Sequence, residues 1–379
     1  MIGTACRSCG HPTLDDVFVA NGVPVENSRL YDDRASALAV ARGDLCIQQC
    51  PHCGFVQNTA FDPTLVTYDE DYEDAQGHSA YFRAFAGRVI AEMIDTHSLE
   101  GARALEIGCG NGDFLREFCA ASGGTGIGLD PVLGSRAIRD EQVELRSVSF
   151  GTGSGHFDAD VVICRHTLEH IPEVADFLTV LRNEFRDRDD TVFYLEVPDS
   201  GRIATESAFW DVYFEHCSYI DEPGFVDLLQ RTGFDVRMSR LDYEGQYLVV
   251  HAGLGETSPL QNRTRIPDFQ GLASSIDAWK SWATSLRADG RRGAVWAASS
   301  KAVAFLSAVP EFAPVVAVDI NPAKAGRFLP GSGVEVCAPA DLHHHDVDTI
   351  LVMNPIYTEE IRADLDRLRV TAELIGLGA

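Results

Sequence analysis

The sequence predicts an α/β chain built around a parallel sheet, with a small metal-binding block before it and a smaller second α/β block after it. Three observations predict this. Residues 103–131 read as strand, glycine turn, helix and second strand, the order that opens a parallel βαβ unit. Apolar runs alternating with amphipathic stretches continue from there to about residue 253. Two Cys-x-x-Cys pairs stand ahead of them all.

The chain has 379 residues, enough for two or three domains with a core each. Its formal charge of −26 argues against nonspecific binding to nucleic acid or to an anionic membrane. A phosphate-bearing substrate would need a local cluster of Arg or Lys. No apolar run approaches 18 residues, and Met1-Ile2-Gly3-Thr4 does not open a signal pattern, so the chain reads as cytoplasmic. Ten cysteines in that compartment suggest metal binding or buried thiols rather than disulfides. Oligomeric state is not legible.

The first block covers residues 1–75. Cys6-Arg7-Ser8-Cys9 and Cys50-Pro51-His52-Cys53 are each followed by glycine, Gly10 and Gly54. Paired in this way, Cys6, Cys9, Cys50 and Cys53 are expected to hold a structural Zn2+ in a closed tetrahedral site that does no chemistry. Two unrelated buried thiol pairs are the alternative. Cys46 is out of register and reads as core; His11 and His52 read as solvent-facing or as neighbours of the site. Tyr68, Tyr72 and His78 follow among many acids, and Tyr81 to Ile94 has the spacing of an amphipathic helix.

The central block, residues 76–253, opens its sheet at Ala104 to Ile107. Gly108, Gly110 and Gly112 follow at alternate positions, and Asp113-Phe114-Leu115 starts a helix. A dinucleotide fingerprint needs G-x-G-x-x-G, but its third glycine would fall on Asp113. The pattern is instead E-x-G-x-G-x-G, with Glu106 beside the turn, where a carboxylate suits a cationic ligand group. Asp130 ends the next strand, 24 residues after Glu106, and is placed to accept from ribose hydroxyls. An ordinary glycine-rich turn is the bland alternative.

Strands are expected near 126–129, 143–147, 159–164 and 191–197, with a helix near 173–184. Arg165 and His166 end the third of these strands and are expected to line the cofactor; Glu169 and His170, just beyond, are expected to support the fold. Phe234 to Leu241 and Gln246 to Ala252 read as a closing hairpin. The other dense patch is Trp210 to Tyr219. Tyr213 and Glu215 can present a hydroxyl and a carboxylate beside His216, and histidine is the usual general base near neutral pH. A buried structural hydrogen-bond cluster is the competing reading.

The third block, residues 254–379, starts with a polar linker. Strands follow at Ala294 to Ala297, Val315 to Val318 and Thr349 to Met353. Asp319 stands where a Rossmann unit binds ribose, but the loop Ala297-Ala298-Ser299-Ser300-Lys301 has no glycine, which argues against a second dinucleotide site. Lys301, at a helix start, is a candidate for a substrate phosphate, with a solvated lysine as the alternative.

Glu106, the three glycines and Asp130 resemble the cofactor motif of class I S-adenosylmethionine-dependent methyltransferases. The knuckles, that motif, Tyr-x-Glu-His-x-Ser-Tyr at 213–219 and the last α/β unit together resemble the sugar C-methyltransferases. The resemblance covers the whole chain. It implies a class I methyltransferase (Rossmann-like) sheet between an N-terminal zinc-knuckle domain and a C-terminal Rossmann-like substrate domain. It implies S-adenosylmethionine bound by Glu106, Gly108, Gly110, Gly112 and Asp130, and methylation of carbon in a nucleotide-linked 4-keto-deoxysugar, as in antibiotic biosynthesis. His216 would remove the proton beside the ketone; Tyr213 and Glu215 would position the sugar or stabilise the enolate oxygen. An O- or N-methyltransferase on the same scaffold is the alternative. The family's Tyr-x-Tyr-x-Ser-Ser is reduced here to Tyr72 of Tyr72-Glu73-Asp74-Ala75-Gln76, which puts contacts of the missing groups in doubt.

Overall fold

Three sheets carry the chain in a computed structural model that describes residues 5–67, 77–151, 154–261 and 267–378. Tyr68 and Tyr72 lie outside the described residues. The first sheet starts with β1 (Asp15–Pro24), followed by the short helix α1 (Arg34–Leu38), β2 (Arg42–Gln49) and β3 (Val56–Asn58), with β2 antiparallel to both β1 and β3. Asp33 caps α1 by accepting from the Ser36 amide. The two knuckle turns repeat each other: Gly10 N–H donates to Cys6 O and Gly54 N–H to Cys50 O, with φ of +74° and +75° at the two glycines.

Helix α2 (Ala80–His97) is capped by the Ser79 hydroxyl and buries Phe85, Val89, Ile90 and Met93. The central sheet then begins: β4 (Arg103–Ile107), α3 (Asp113–Ser122), β5 (Thr125–Leu129), β6 (Ile138–Arg139), β7 (Val143–Arg146), β8 (Val161–Arg165), α4 (Val174–Glu184), β9 (Val192–Pro198) and α5 (Ser200–Glu206). The chain next leaves this sheet. Residues 218–219 form β10, which pairs antiparallel with β3 and completes the first sheet. It returns through α6 (Glu222–Arg231), β11 (Phe234–Asp242) and β12 (Tyr247–Leu254).

The strand order is β11-β12-β9-β8-β4-β5-β7-β6. Strands β9, β8, β4, β5 and β7 run parallel, whereas β12 is antiparallel to both its neighbours. Sheets buried on both faces read as unbroken apolar runs, as Val161-Val162-Ile163-Cys164 does. The order changes direction at β4, so its glycine turn opens at the switch point where ligands bind.

The last unit comprises α7 (Gly271–Ala288), β13 (Gly293–Trp296), α8 (Ser300–Ala308), β14 (Val316–Val318), β15 (Val336–Cys337), β16 (Thr349–Val352), α9 (Thr358–Leu368) and β17 (Glu373–Gly376). Its five strands are parallel, in the order β15-β14-β13-β16-β17. One apolar core joins it to the first sheet through Leu45, Ile47, Phe209, Trp210, Phe214, Phe305 and Leu329. The segment after α5 is therefore shared among all three sheets. No helix among the described residues is long and apolar enough to cross a membrane.

Candidate functional site

The glycine turn after β4 is held from two sides. Gly108 has φ +72°, and a β-carbon there would lie 1.9 Å from the Thr167 hydroxyl, so only glycine fits. Asp130 ends β5 and staples the turn: its Oδ2 accepts from Gly110 N–H at 2.8 Å and its Oδ1 from Val132 N–H at 2.9 Å. Gly112 caps α3 at φ +78°. Beneath the turn Glu106 is 3% exposed, and its Oε2 has no hydrogen-bond partner among the described residues. Burial pushes its pKa up to about 8, against the pull of Arg165. A buried carboxylate with a vacant acceptor oxygen, a backbone cradle and a second acid at the strand end fit a ligand carrying an ammonium and a ribose.

Arg165 and His166 stand at the end of β8. The Arg165 guanidinium lies 4.1 Å over the Phe114 ring and donates twice to Glu196 Oε1, at 3.1 and 2.8 Å. Glu196 also accepts from the Tyr194 hydroxyl at 2.6 Å. Burial opposes its charge, but Arg165 and His166 outweigh this and hold it well below the usual carboxylate range. His166 adopts φ +48°, and its Nε2 lies 2.9 Å from Glu196 Oε1, an ion-pair distance off the line of a hydrogen bond. Burial disfavours the imidazolium; Glu169 and Glu196 overcome this and push His166 up to about 9. Both residues thus belong to one buried charge chain beside Glu106. His166 also reaches the neighbouring cavity, where its ring meets Tyr247 edge-on at 4.4 Å.

That cavity lies between the strand ends of the central and last units. His216 and Tyr213 face it from the segment before β10, with the Tyr213 hydroxyl 2.9 Å from His216 Nε2. His216 N–H donates to Tyr213 O, a turn that brings both side chains to one side. Between them in sequence, Phe214 is fully buried against Gly43 and Phe61. Burial, then the charges of His170, His166 and Lys301, hold His216 well below its ordinary pKa. It is therefore a neutral imidazole at pH 7, the form a general base requires.

Glu215 stands elsewhere in this arrangement. It is 1% exposed, and its Oε1 accepts from Asn27 N–H at 2.6 Å and Ser28 N–H at 3.4 Å. It also contributes to the cavity wall, together with Ser28. Glu169 and His170, expected only to support the fold, line the same cavity, and the His170 ring meets His216 edge-on at 4.9 Å. Their position after a parallel strand was the available signal, since ligands gather at such ends.

In the first block, the sulfurs of Cys6, Cys9, Cys50 and Cys53 all lie within 4.8 Å of one another. Cys6 and Cys53 sulfurs are 3.5 Å apart, and those of Cys9 and Cys50 3.7 Å. Tetrahedral Zn–S bonds of about 2.3 Å imply sulfur separations of about 3.8 Å, so the cluster fits such an ion. Cys46 is half-buried and outside it.

From the last unit, Lys301 lines the cavity and is ion-paired with Asp211, as is Arg202. Ser300 Oγ lies 3.0 Å from Ser28 Oγ. Asp319, which stands where a Rossmann unit binds ribose, accepts from Ala298 and Asn321 amides and faces the Lys324 ammonium at 3.3 Å.

Residues 78–238 match a family described as a methyltransferase domain, and residues 262–374 one described as a C-methyltransferase C-terminal domain. The chain is 24% identical over 394 residues to C-methyltransferase NovU of Streptomyces niveus, covering 94% of this chain and 90% of that one. Among solved structures, it is similar to the 1,6-didemethyltoxoflavin-N1-methyltransferase of Burkholderia thailandensis (20% identity, 48% of this chain, 83% of that one, TM-score 0.37). It is also similar to the magnesium protoporphyrin IX methyltransferase of Synechocystis PCC 6803 (15% identity, 48% and 91%, TM-score 0.37).

Proposed function

Given that this chain is a class I S-adenosylmethionine-dependent C-methyltransferase, we propose that its acceptor is a nucleotide-linked 4-keto-deoxysugar, methylated on the carbon beside the ketone. One observation carries the reading: a neutral, buried His216 bonded to the Tyr213 hydroxyl at 2.9 Å, facing a cavity between two sets of parallel strand ends. A proton α to a ketone is acidified by enolate formation, so a histidine and a hydroxyl donor suffice. His216 Nε2 takes that proton, and the C–H electron pair moves into the enolate. The protonated Nε2 would then donate to the Tyr213 oxygen, and the Tyr213 O–H would donate to the new oxyanion. S-adenosylmethionine supplies the methyl group, already activated as a sulfonium.

Glu106, the Gly108–Gly112 turn and Asp130 would hold the cofactor, Glu106 against its ammonium and Asp130 against its ribose. Arg165 and His166 act in this reading as the charge chain that fixes Glu196 and the wall between cofactor and acceptor. Glu215 places Ser28 at the acceptor by holding the Asn27 and Ser28 amides. The Cys6, Cys9, Cys50, Cys53 cluster would hold a structural Zn2+. Lys301 and the first turn of α8 supply positive potential for acceptor phosphates in an acidic protein.

The test is NMR of the product formed from 13C-methyl S-adenosylmethionine and a panel of nucleotide-linked 4-keto-deoxyhexoses. A methyl bonded to carbon, with loss of the neighbouring proton, supports the proposal. A methyl on oxygen or nitrogen, or turnover only with acceptors lacking a nucleotide, overturns it.

A further inference from the structure

The last unit repeats the hydrogen bonds that shape the cofactor turn. In the central unit Gly108 N–H donates to Leu129 O at 2.9 Å, and Asp130 accepts from the Gly110 and Val132 amides. In the last unit Ala297 N–H donates to Val318 O at 2.9 Å, and Asp319 accepts from the Ala298 and Asn321 amides, each at 2.9 Å. Strand, turn, helix and acid correspond. Two things differ. The turn residue is Ala297 at φ +96°, a region a β-carbon makes costly. And a buried lysine has been laid across the acid: Lys324 Nζ donates to Ala298 O at 3.0 Å and faces Asp319 Oδ2 at 3.3 Å.

These differences change what the turn can bind. Asp130 in its turn has two amide donors; Asp319 has the same two and an ammonium besides. A ribose diol at Asp319 would compete with Lys324 for the same carboxylate, and drawing the acid away from Lys324 would leave a buried cation unpaired, which is strongly unfavourable. An ammonium, however, has three donors, and two of these are used. Lys324 lines the same cavity as Lys301 and His216. The first turn of α8 adjoins it, and the Ser299 side chain makes no cap bond there. Acids such as Glu360 and Asp364 also line the cavity, so an anion needs a placed cation to enter.

We propose that Lys324 converts a ribose-type turn into an anion site, so that this turn takes the diphosphate of the acceptor and not its ribose. The inference rests on the nucleotide-linked reading of the acceptor. The probes are thymidine and uridine diphosphates and the corresponding free nucleosides, titrated calorimetrically into the zinc-loaded full chain with S-adenosylhomocysteine present. The diphosphates should bind, and the nucleosides at least about tenfold more weakly, as expected when charge-assisted bonds to phosphate dominate. Lys324→Met should weaken diphosphate binding about tenfold or more, and Lys324→Arg should restore most of it. S-adenosylhomocysteine affinity, read in the same variants, reports whether the fold is kept. Nucleosides binding as tightly as diphosphates, or Lys324→Met keeping full diphosphate affinity, would overturn the inference and leave the acceptor class standing. No binding of either diphosphate, with turnover of a ketone that carries no nucleotide, would overturn both.

Discussion

Ser218 pairs with Gln57, so the strand that follows the candidate base belongs to the sheet that carries the four thiols. The link is continuous. Asn58 N–H donates to Cys217 O at 3.0 Å, and Cys217 N–H to Glu169 O at 2.9 Å. Gln57, fully buried, accepts from Arg7 N–H inside the first knuckle at 2.9 Å and donates to Ala5 O at 3.2 Å. His216 is therefore positioned by the sheet whose flanking turns bring the four thiols together.

Metal removal should consequently abolish catalysis without abolishing cofactor binding. A closed four-thiolate site contributes about 10 kcal/mol or more to the folding of its block. Chelation, or Cys50→Ser, should release the β3–β10 pairing and with it Tyr213 and His216. The glycine turn and Asp130 lie in the central unit and keep their own contacts. The check is a chelator titration that follows metal release, turnover and S-adenosylhomocysteine affinity together. Activity should fall in step with metal loss while affinity holds.

His216→Asn should lower kcat by about 10²- to 10⁴-fold, the usual contribution of a positioned general base. Exchange of the acceptor's α-proton with deuterated solvent, without methyl transfer, should vanish with it. The pH dependence has a definite sign. The base must be unprotonated, and His216 lies well below its ordinary value of about 6.5. As far as this group determines it, kcat/KM should stay level as pH falls from 8 to 6.5 and decline only in more acid solution.

The parts of this site that local sequence could reveal are those made by neighbours in the chain. Glu106, Gly108, Gly110 and Gly112 lie on one strand and turn, and Asp130 is one βα step further on; the spacing itself brings them together. Cys6 with Cys9 and Cys50 with Cys53 are similarly local. What local pattern could not reveal was non-local. Strand β10 is two residues long, too short for any periodicity, and its partner lies about 160 residues away. Glu215 binds backbone amides of Asn27 and Ser28, and an amide leaves no mark in side-chain chemistry. Lys324 on Asp319 is five residues distant, but nothing in Asn321-Pro322-Ala323-Lys324 says that the lysine folds back.

Glu106 predicts a proton linked to cofactor binding. Its carboxyl is raised from 4.5 to about 8, chiefly by burial, so the ligand-free protein holds a proton there at pH 7. The sign follows: the stability this proton contributes is full below the unfolded value and is lost as pH rises through about 8. An ammonium placed at Oε2 favours the carboxylate and expels the proton. S-adenosylmethionine affinity should therefore rise by up to about tenfold per pH unit between pH 6 and 7.5 and level off above the folded value. Calorimetry in buffers of different ionisation enthalpy should show nearly one proton released at pH 7. Glu106→Gln should remove both effects and weaken binding at pH 8.5.

Asp211 holds two cations from different units, Arg202 of the central unit and Lys301 of the last. Burial alone would raise its carboxyl; Lys301 and Arg202 overcome this and hold it below the ordinary carboxylate range. The stability it contributes is present above the unfolded value and lost as pH falls through the folded one. Asp211→Asn leaves two largely buried cations without their shared anion, and should cost about 3 kcal/mol of stability at pH 7. Adding Lys301→Met removes one of the stranded cations, so the double variant should be more stable than Asp211→Asn alone. Denaturant midpoints at pH 7 decide this. A double variant less stable than the single would mean that Lys301 contributes through its own packing and not through the charge it shares with Arg202.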